Sequence, residues 1–345
     1  MRRMRKFAVG LCLVAATVAV PVSPAAAVDP GVPGKVAFIR GGNLFVAEAG
    51  GTVWQVTTGG GYEWPRWRPN TDDLAVIKNG NLFLGHYTAS SHSFATTLQI
   101  TSSGSIGAGA WSPDGNRLAY AYGTLPYSPT IYIAELGSSP ALAKGAATVT
   151  TTKVDSRLSP AAQAEADRLP KKAQRPAVAA AAAPAWHPTK NSLAVAWSPD
   201  GRYIAYPNGE CFAVYDECLS LLDTTDWTEI WFTGFGGGGS LLSGFATVPA
   251  FTADSSRVMW NEQTIPRMEP NPQLGWVHIN SAPISAPNNQ TRVGVDTEYN
   301  AVPSPANNAD VLVTGGRNGV AWIARRNGPT RTWLYQGYHQ DWQAL

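Results

Sequence analysis

The sequence predicts an all-β protein assembled from repeats, and three observations support this. First, the 345 residues include 13 Trp, 12 Tyr and 10 Phe, punctuated by 34 Gly and 26 Pro. Aromatic-rich runs broken by turn formers favour short strands over helices. Second, Trp111-Ser112-Pro113-Asp114-Gly115-Asn116-Arg117-Leu118-Ala119-Tyr120 recurs as Trp197-Ser198-Pro199-Asp200-Gly201-Arg202-Tyr203-Ile204-Ala205-Tyr206. Weaker copies start at Trp67, Phe251 and Pro303. Third, the anchors at 67, 111, 197, 251 and 303 are 44, 86, 54 and 52 residues apart. Repeats of about 40–50 residues made of short strands point to a β-propeller.

The chain opens with a segment of different character. Arg2, Arg3, Arg5 and Lys6 precede an unbroken apolar run from Phe7 to Val20, then Pro21 and Ala25-Ala26-Ala27. This is the three-part pattern of a secretory signal over residues 1–27, cleaved after Ala27. The apolar run is too short for a membrane anchor, which needs about 20 residues. Without the four basic residues the chain carries 22 basic and 24 acidic residues, so a nucleic-acid partner is not expected. No other segment could span a membrane. Export places Cys211 and Cys218 in an oxidising compartment, where a disulfide between them is expected.

The repeated phrase has a mechanical reading. A strand ends at the aromatic, Pro-Asp-Gly turns tightly, and an alternating strand follows. Asp114 and Asp200 are therefore read as turn residues that bond their own backbone, not as metal ligands or acids. A sialidase-type Asp-box does not fit, because Asp and Gly are adjacent in both copies.

The phrase Ser-Pro-Asp-Gly-x-x-[Leu/Ile]-Ala-Tyr, followed by strands such as Ile131-Tyr132-Ile133-Ala134, resembles the repeat of TolB-like propellers, relatives of the WD-repeat proteins. The resemblance covers most of residues 35–345. It implies an all-β, six-bladed β-propeller of four-stranded antiparallel blades. TolB is a periplasmic component of the Tol-Pal system and carries an α/β domain before its propeller. Here strands begin within about ten residues of the expected cleavage site, so that domain is expected to be absent and a Tol-Pal role does not carry over.

Residues 28–345 are thus expected to form one propeller domain. Blade two runs from Tyr62 to Thr101, blade three from Ser105 to about Thr152, blade four from Asn191 to Gly234, blade five from Phe245 to Val295 and blade six from Asp296 to Gln336. Three strands lie at Val36–Ile39, Asn43–Glu48 and Thr52–Thr57. Their innermost partner is missing locally. Tyr338-His339-Gln340-Asp341-Trp342 repeats the rhythm of Tyr62-Glu63-Trp64-Pro65-Arg66-Trp67, so residues 338–345 are expected to close the ring inside blade one, removing exposed sheet edges. Trp186-His187-Pro188 faintly echoes the phrase and leaves a decayed seventh blade as an alternative.

Connections between second and third strands lengthen at Gly123–Pro129, Pro207–Cys218 and Gln263–Gly275, and links between blades include Gly234–Gly239 and the stretch 153–190. These connections share one end of a propeller, the expected working surface. The insertion 153–190 is expected to be flexible, although Ser159-Pro160 can start a short helix through Arg168.

Chemistry is sparse. No Gly-x-Ser-x-Gly elbow or phosphate loop occurs, and the five histidines are scattered, so no cofactor and no metal are expected. One constellation stands out. Tyr62, Glu63 and Trp64, Glu298 and Tyr299, and His339 begin inner strands of neighbouring blades and are expected to gather at the channel mouth as an aromatic pocket with carboxylates. The expected function is a secreted, non-catalytic scaffold, acting as a monomer, that binds a protein, peptide or glycan outside the cell or in its envelope. The alternative is an extracellular carbohydrate hydrolase or lyase using Glu63 and Glu298.

Overall fold

The computed structural model describes residues 34–102, 104, 106–123, 129–136, 149–168, 193–208, 218–233, 243–265 and 277–345. Blade one contains β1 (Val36–Arg40), β2 (Asn43–Ala47) and β3 (Val53–Gln55). Blade two follows with β4 (Tyr62–Trp67), β5 (Asp73–Lys78), β6 (Asn81–Thr88) and β7 (Ser93–Gln99). Blade three has β8 (Ala110–Trp111), β9 (Arg117–Tyr122), β10 (Thr130–Glu135) and β11 (Thr150–Lys153). The insertion then contributes β12 (Arg157–Leu158) and α1 (Pro160–Arg168). Blade four has β13 (Ala196–Trp197), β14 (Tyr203–Pro207), β15 (Leu219–Asp223) and β16 (Thr228–Thr233). Blade five has β17 (Ser243–Phe251), β18 (Arg257–Ile265), β19 (His278–Pro283) and β20 (Thr291–Val293). Blade six has β21 (Tyr299–Pro303), β22 (Asp310–Arg317), β23 (Val320–Asn327) and β24 (Thr330–Gln336), and β25 (Tyr338–Trp342) ends the chain.

The sheets are ordered β25-β1-β2-β3, β4 to β7, β8 to β11, β13 to β16, β17 to β20 and β21 to β24, each antiparallel from inside to outside. Closure takes the expected form. β25 lies beside β1 with Val36 opposite Trp342 and Ala37 opposite Asp341. Gln343 extends the pairing with a backbone bond to Lys35 at 2.9 Å and side-chain bonds to Thr71 and Asp72.

Six buried apolar clusters fill the six seams between blades. An aromatic near the end of an inner strand anchors five of them: Trp67, Trp111, Trp197, Phe251 and Trp342. Burial of a side chain this large contributes up to about 3 kcal/mol, which explains why the repeat keeps an aromatic at that position.

The turn that follows is built as its residues dictate. Ser112 donates to Asp114 Oδ1, which also accepts the Asn116 N–H at 3.1 Å; Ser198 and Asp200 repeat the pattern, and Thr252 and Asp254 reproduce it in blade five. These bonds hold the Asp114 carboxyl below its ordinary pKa and bring Asp254 to about 2. Bonds at these turns also bridge three of the seams. Arg68 Nε donates to the Gly115 carbonyl at 2.7 Å, the Asp200 N–H to Ser255 Oγ at 3.0 Å and the Asp254 N–H to Asn308 Oδ1 at 3.2 Å.

At the opposite end, β1–β2, β5–β6 and β22–β23 are joined by Gly41-Gly42, Asn79-Gly80 and Asn318-Gly319, all with positive φ at both positions. This is the type I′ geometry that suits the strand twist. Elaboration is not confined to this end. The long connection 136–149 joins β10 to β11 at the turn end.

The described part of the insertion, up to Arg168, docks on blade four. β12 pairs in parallel with β16, Leu158 opposite Glu229, and adds a fifth strand. The helix α1 matches the expected Ser159-Pro160 start: Ser159 Oγ accepts the Ala162 N–H at 3.1 Å as its cap. Trp186-His187-Pro188 and Cys211 lie outside the described residues, while Cys218 is buried.

Deleting residues 338–345 strips β1 of its inner partner. The expected outcome is loss of the single cooperative thermal transition, followed by circular dichroism, with the truncated chain self-associating through its open edge.

Candidate functional site

The six residues singled out from the sequence separate into three environments. Tyr62 is buried in the seam of blades one and two, edge-on to Phe94, with Lys78 over its ring at 4.9 Å. Glu63 is half-buried beside it on β4. Tyr299, half-buried on β21, has its hydroxyl pKa raised by burial and then by Tyr338.

Glu298 departs from the expectation. It is fully buried, not at the channel mouth. Arg326 binds its carboxylate with two nitrogens, Arg331 Nη1 donates at 3.1 Å, and the Val295 N–H donates at 3.0 Å. Gly294 and Gly315 pack closely around it, so it sits between the outer strand of blade five and the sheet of blade six. Two arginines neutralise it, and it joins elements rather than facing a ligand. An acid pair with Glu63 is not formed.

Trp64 and His339 do meet. Their rings stack with centroids 3.8 Å apart across the seam of blades two and one. Both occupy a bulge. β4, β17, β21 and β25 each slip register midway, and the residues there, Trp64, Val248, Asn300 and His339, have φ between 49° and 55°. A positive φ is costly for such side chains, of order 1–3 kcal/mol each. All four are buried. Asn300 is fixed by a reciprocal pair of bonds with Asn261 of blade five at 2.9 and 2.7 Å, and its carbonyl accepts from Gln340 of blade one. His339 is held neutral, its pKa lowered to about 3 by burial and then by Arg66.

Beyond this layer, toward the turn end, an axial cavity of about 190 Å³ is lined by the inner strands of all six blades. Most of the lining is Ala, Val, Pro, Trp and Phe. The charged residues among it are Arg66 and Asp341, whose nearest atoms are 3.8 Å apart and whose side chains are about 15% exposed. Arg66 Nη1 donates to the Pro65 and Gln340 carbonyls at 3.0 and 3.3 Å, and its guanidinium lies 5.4 Å from the Trp64 ring. Asp341 Oδ2 accepts the Trp67 backbone N–H at 2.7 Å. Burial raises the Asp341 pKa to about 6 against the opposing pull of Arg66. A signal for this pair was present in the sequence: each residue directly precedes the closing Trp of its inner strand.

A larger cavity, about 420 Å³, opens at the loop end in the seam of blades three and four. Its lining includes Thr130 of β10, Lys153, Asp155 and Leu158 of the insertion, and Tyr206, Asn208, Glu229 and Trp231 of blade four. Glu229 is its centre. Its Oε1 accepts from Asn208 Nδ2 at 2.6 Å, Ser220 Oγ at 3.1 Å and Trp231 Nε1 at 3.1 Å. The Tyr206 hydroxyl also bonds Glu229, and burial first, then this carboxylate, raises its pKa well above the usual value. Glu229 and Trp231 belong to an ordinary outer strand, which explains why repeat reading passes over them.

No protein-family model and no curated protein matches the sequence. Solved structures resemble the fold. TolB from Acinetobacter baumannii aligns with a TM-score of 0.57 over 90% of this chain and 67% of its own, at 14% identity. A putative TolB from Agrobacterium tumefaciens gives 0.52 over 88% and 90%, at 16% identity. A chain of a nidogen/laminin complex gives 0.53 over 89% and 97%, at 8% identity. At such identities the likeness concerns architecture: this chain folds as a six-bladed β-propeller similar to these structures. Among the described residues, no helix is long and apolar enough to cross a membrane.

Two outcomes follow. Glu298→Ala leaves the Arg326 charge buried and is expected to lower stability by about 3–5 kcal/mol in a denaturant titration; an unchanged midpoint would contradict the structural role. For Asp341, the folded pKa near 6 lies above the ordinary 3.8, so the folded chain holds this proton longer than the unfolded one. Its contribution is therefore fully present below about pH 4 and lost as the pH rises through about 6. Asp341→Asn is expected to remove that decline and stabilise the protein above pH 6 by at most about 3 kcal/mol, measured as denaturant midpoints across the range.

Proposed function

We propose that this propeller is an exported, non-catalytic scaffold that binds a protein, peptide or glycan through the loop-bearing end of the ring. Residues 1–27 supply the export signal in this reading, and Cys211 and Cys218 form a disulfide in the loop beside β15. One observation carries it: the larger cavity lies at that end, walled by the insertion on one side and by the Glu229 cluster on the other. The cavity combines a Trp face, a Tyr ring and a carboxylate fixed by several donors, which suits a ligand presenting hydroxyl or amide groups. Docking of β12 on β16 ties the insertion to the cavity wall, so its composition shapes the surface.

The hydrolase or lyase reading loses its acid pair, because the Glu298 carboxylate is bound by two arginines. Glycan and peptide arrays probed with the purified chain test the binding reading. For any ligand found, Trp231→Ala is expected to weaken binding by about tenfold or more, with the thermal transition retained. A ligand bound equally well by Trp231→Ala and Glu229→Gln would place recognition elsewhere and overturn the assignment.

A further inference from the structure

We propose that the axial cavity at the turn end is a second, separate site, built to hold a small carboxylate against Arg66. Size limits the ligand first. At about 190 Å³ the space is below the range of about 300–1,000 Å³ typical of drug-sized sites, and it suits an acid of a few heavy atoms.

The donors lining it exceed the acceptors offered to them. Arg66 commits Nη1 to two backbone carbonyls, and its Nε and Nη2 make no bond with any described residue. That edge of a guanidinium is the one that grips a carboxylate with two parallel bonds. Trp67 lines the cavity next to Arg66 and is 4% exposed, so its ring lies where an occupant alters its surroundings.

Asp341 sets the condition for binding. It is the acid that faces Arg66, and a second anion beside it is repelled while it is ionised. Burial already favours its neutral form, so an incoming carboxylate is accompanied by a proton on Asp341. The other titratable neighbour, His339 of β25, stays neutral, and blades three to six contribute uncharged lining residues. Affinity therefore rises as the pH falls, until the ligand itself protonates.

Titration of the purified chain with acetate, succinate and acetamide, and with one short peptide bearing a free or an amidated C-terminus, tests this through tryptophan fluorescence. Saturable binding of a free acid with no response to acetamide is expected, tighter at about pH 5.5 than at about pH 8. Arg66→Gln is expected to weaken it by at least about tenfold. Asp341→Asn, which keeps an acceptor for the Trp67 backbone, is expected to tighten binding near neutral pH and flatten its pH dependence, and it serves if Arg66→Gln fails to fold. Binding of the free-terminus peptide alone assigns the carboxylate to a polypeptide end and retains the recognition. Equal response to acid and amide, no saturable response at the lower pH, or a folded Asp341→Asn protein with unchanged affinity would overturn it. None of these outcomes bears on the loop-end cavity, where Trp231→Ala is the control.

Discussion

Pairing of the last strand with the first is the constraint on which this molecule rests. Joining the ends of a chain of about 300 residues costs on the order of 5 kcal/mol in loop entropy. The ladder of β25 on β1, the Gln343 bonds to both neighbours and the Trp342 cluster offset it together. Closure also assembles the axial cavity, since Asp341 and Trp342 arrive only with the closing strand. Gln340 carries the connection to the other side, accepting from Thr314 and donating to the Asn300 carbonyl of blade six. One short strand thus joins blades six, one and two.

The repeated phrase works at two levels. Within a blade, its serine and aspartate satisfy the turn that reverses the chain. Between blades, the same turns bridge three of the six seams, Arg68 to Gly115, Asp200 to Ser255, Asp254 to Asn308. The aromatic before four of the turns, Trp67, Trp111, Trp197 and Phe251, seals a seam. A local motif therefore also links neighbouring blades, and its repetition is a mechanical need, not evidence of ligand chemistry.

That need explains what could be read in advance. Blade spans, the closing strand and the capped helix at Ser159 all follow from short-range patterns of aromatics, turn formers and caps. Side-chain partnerships between segments distant in sequence do not. The bond between Glu298, just before β21, and Arg326 of β23 spans 28 residues within blade six, and nothing near Glu298 in sequence announces an arginine pair. A carboxylate beside tyrosines at a strand start reads as a mouth residue until the packing around it is known. The docking of β12 on β16 is equally hidden, because its two residues carry no strand pattern of their own. Arg66 and Asp341 were closer to legible, being matched positions in a repeated rhythm.

The layer of Trp64, Val248, Asn300 and His339 has a consequence for the whole molecule. The lining of the turn-end cavity stops at this layer, and none of the four contributes to it. In each of these four strands the wall of that cavity begins one or two residues after the bulge. Relaxing a bulge would therefore shift the strand segment that forms the wall.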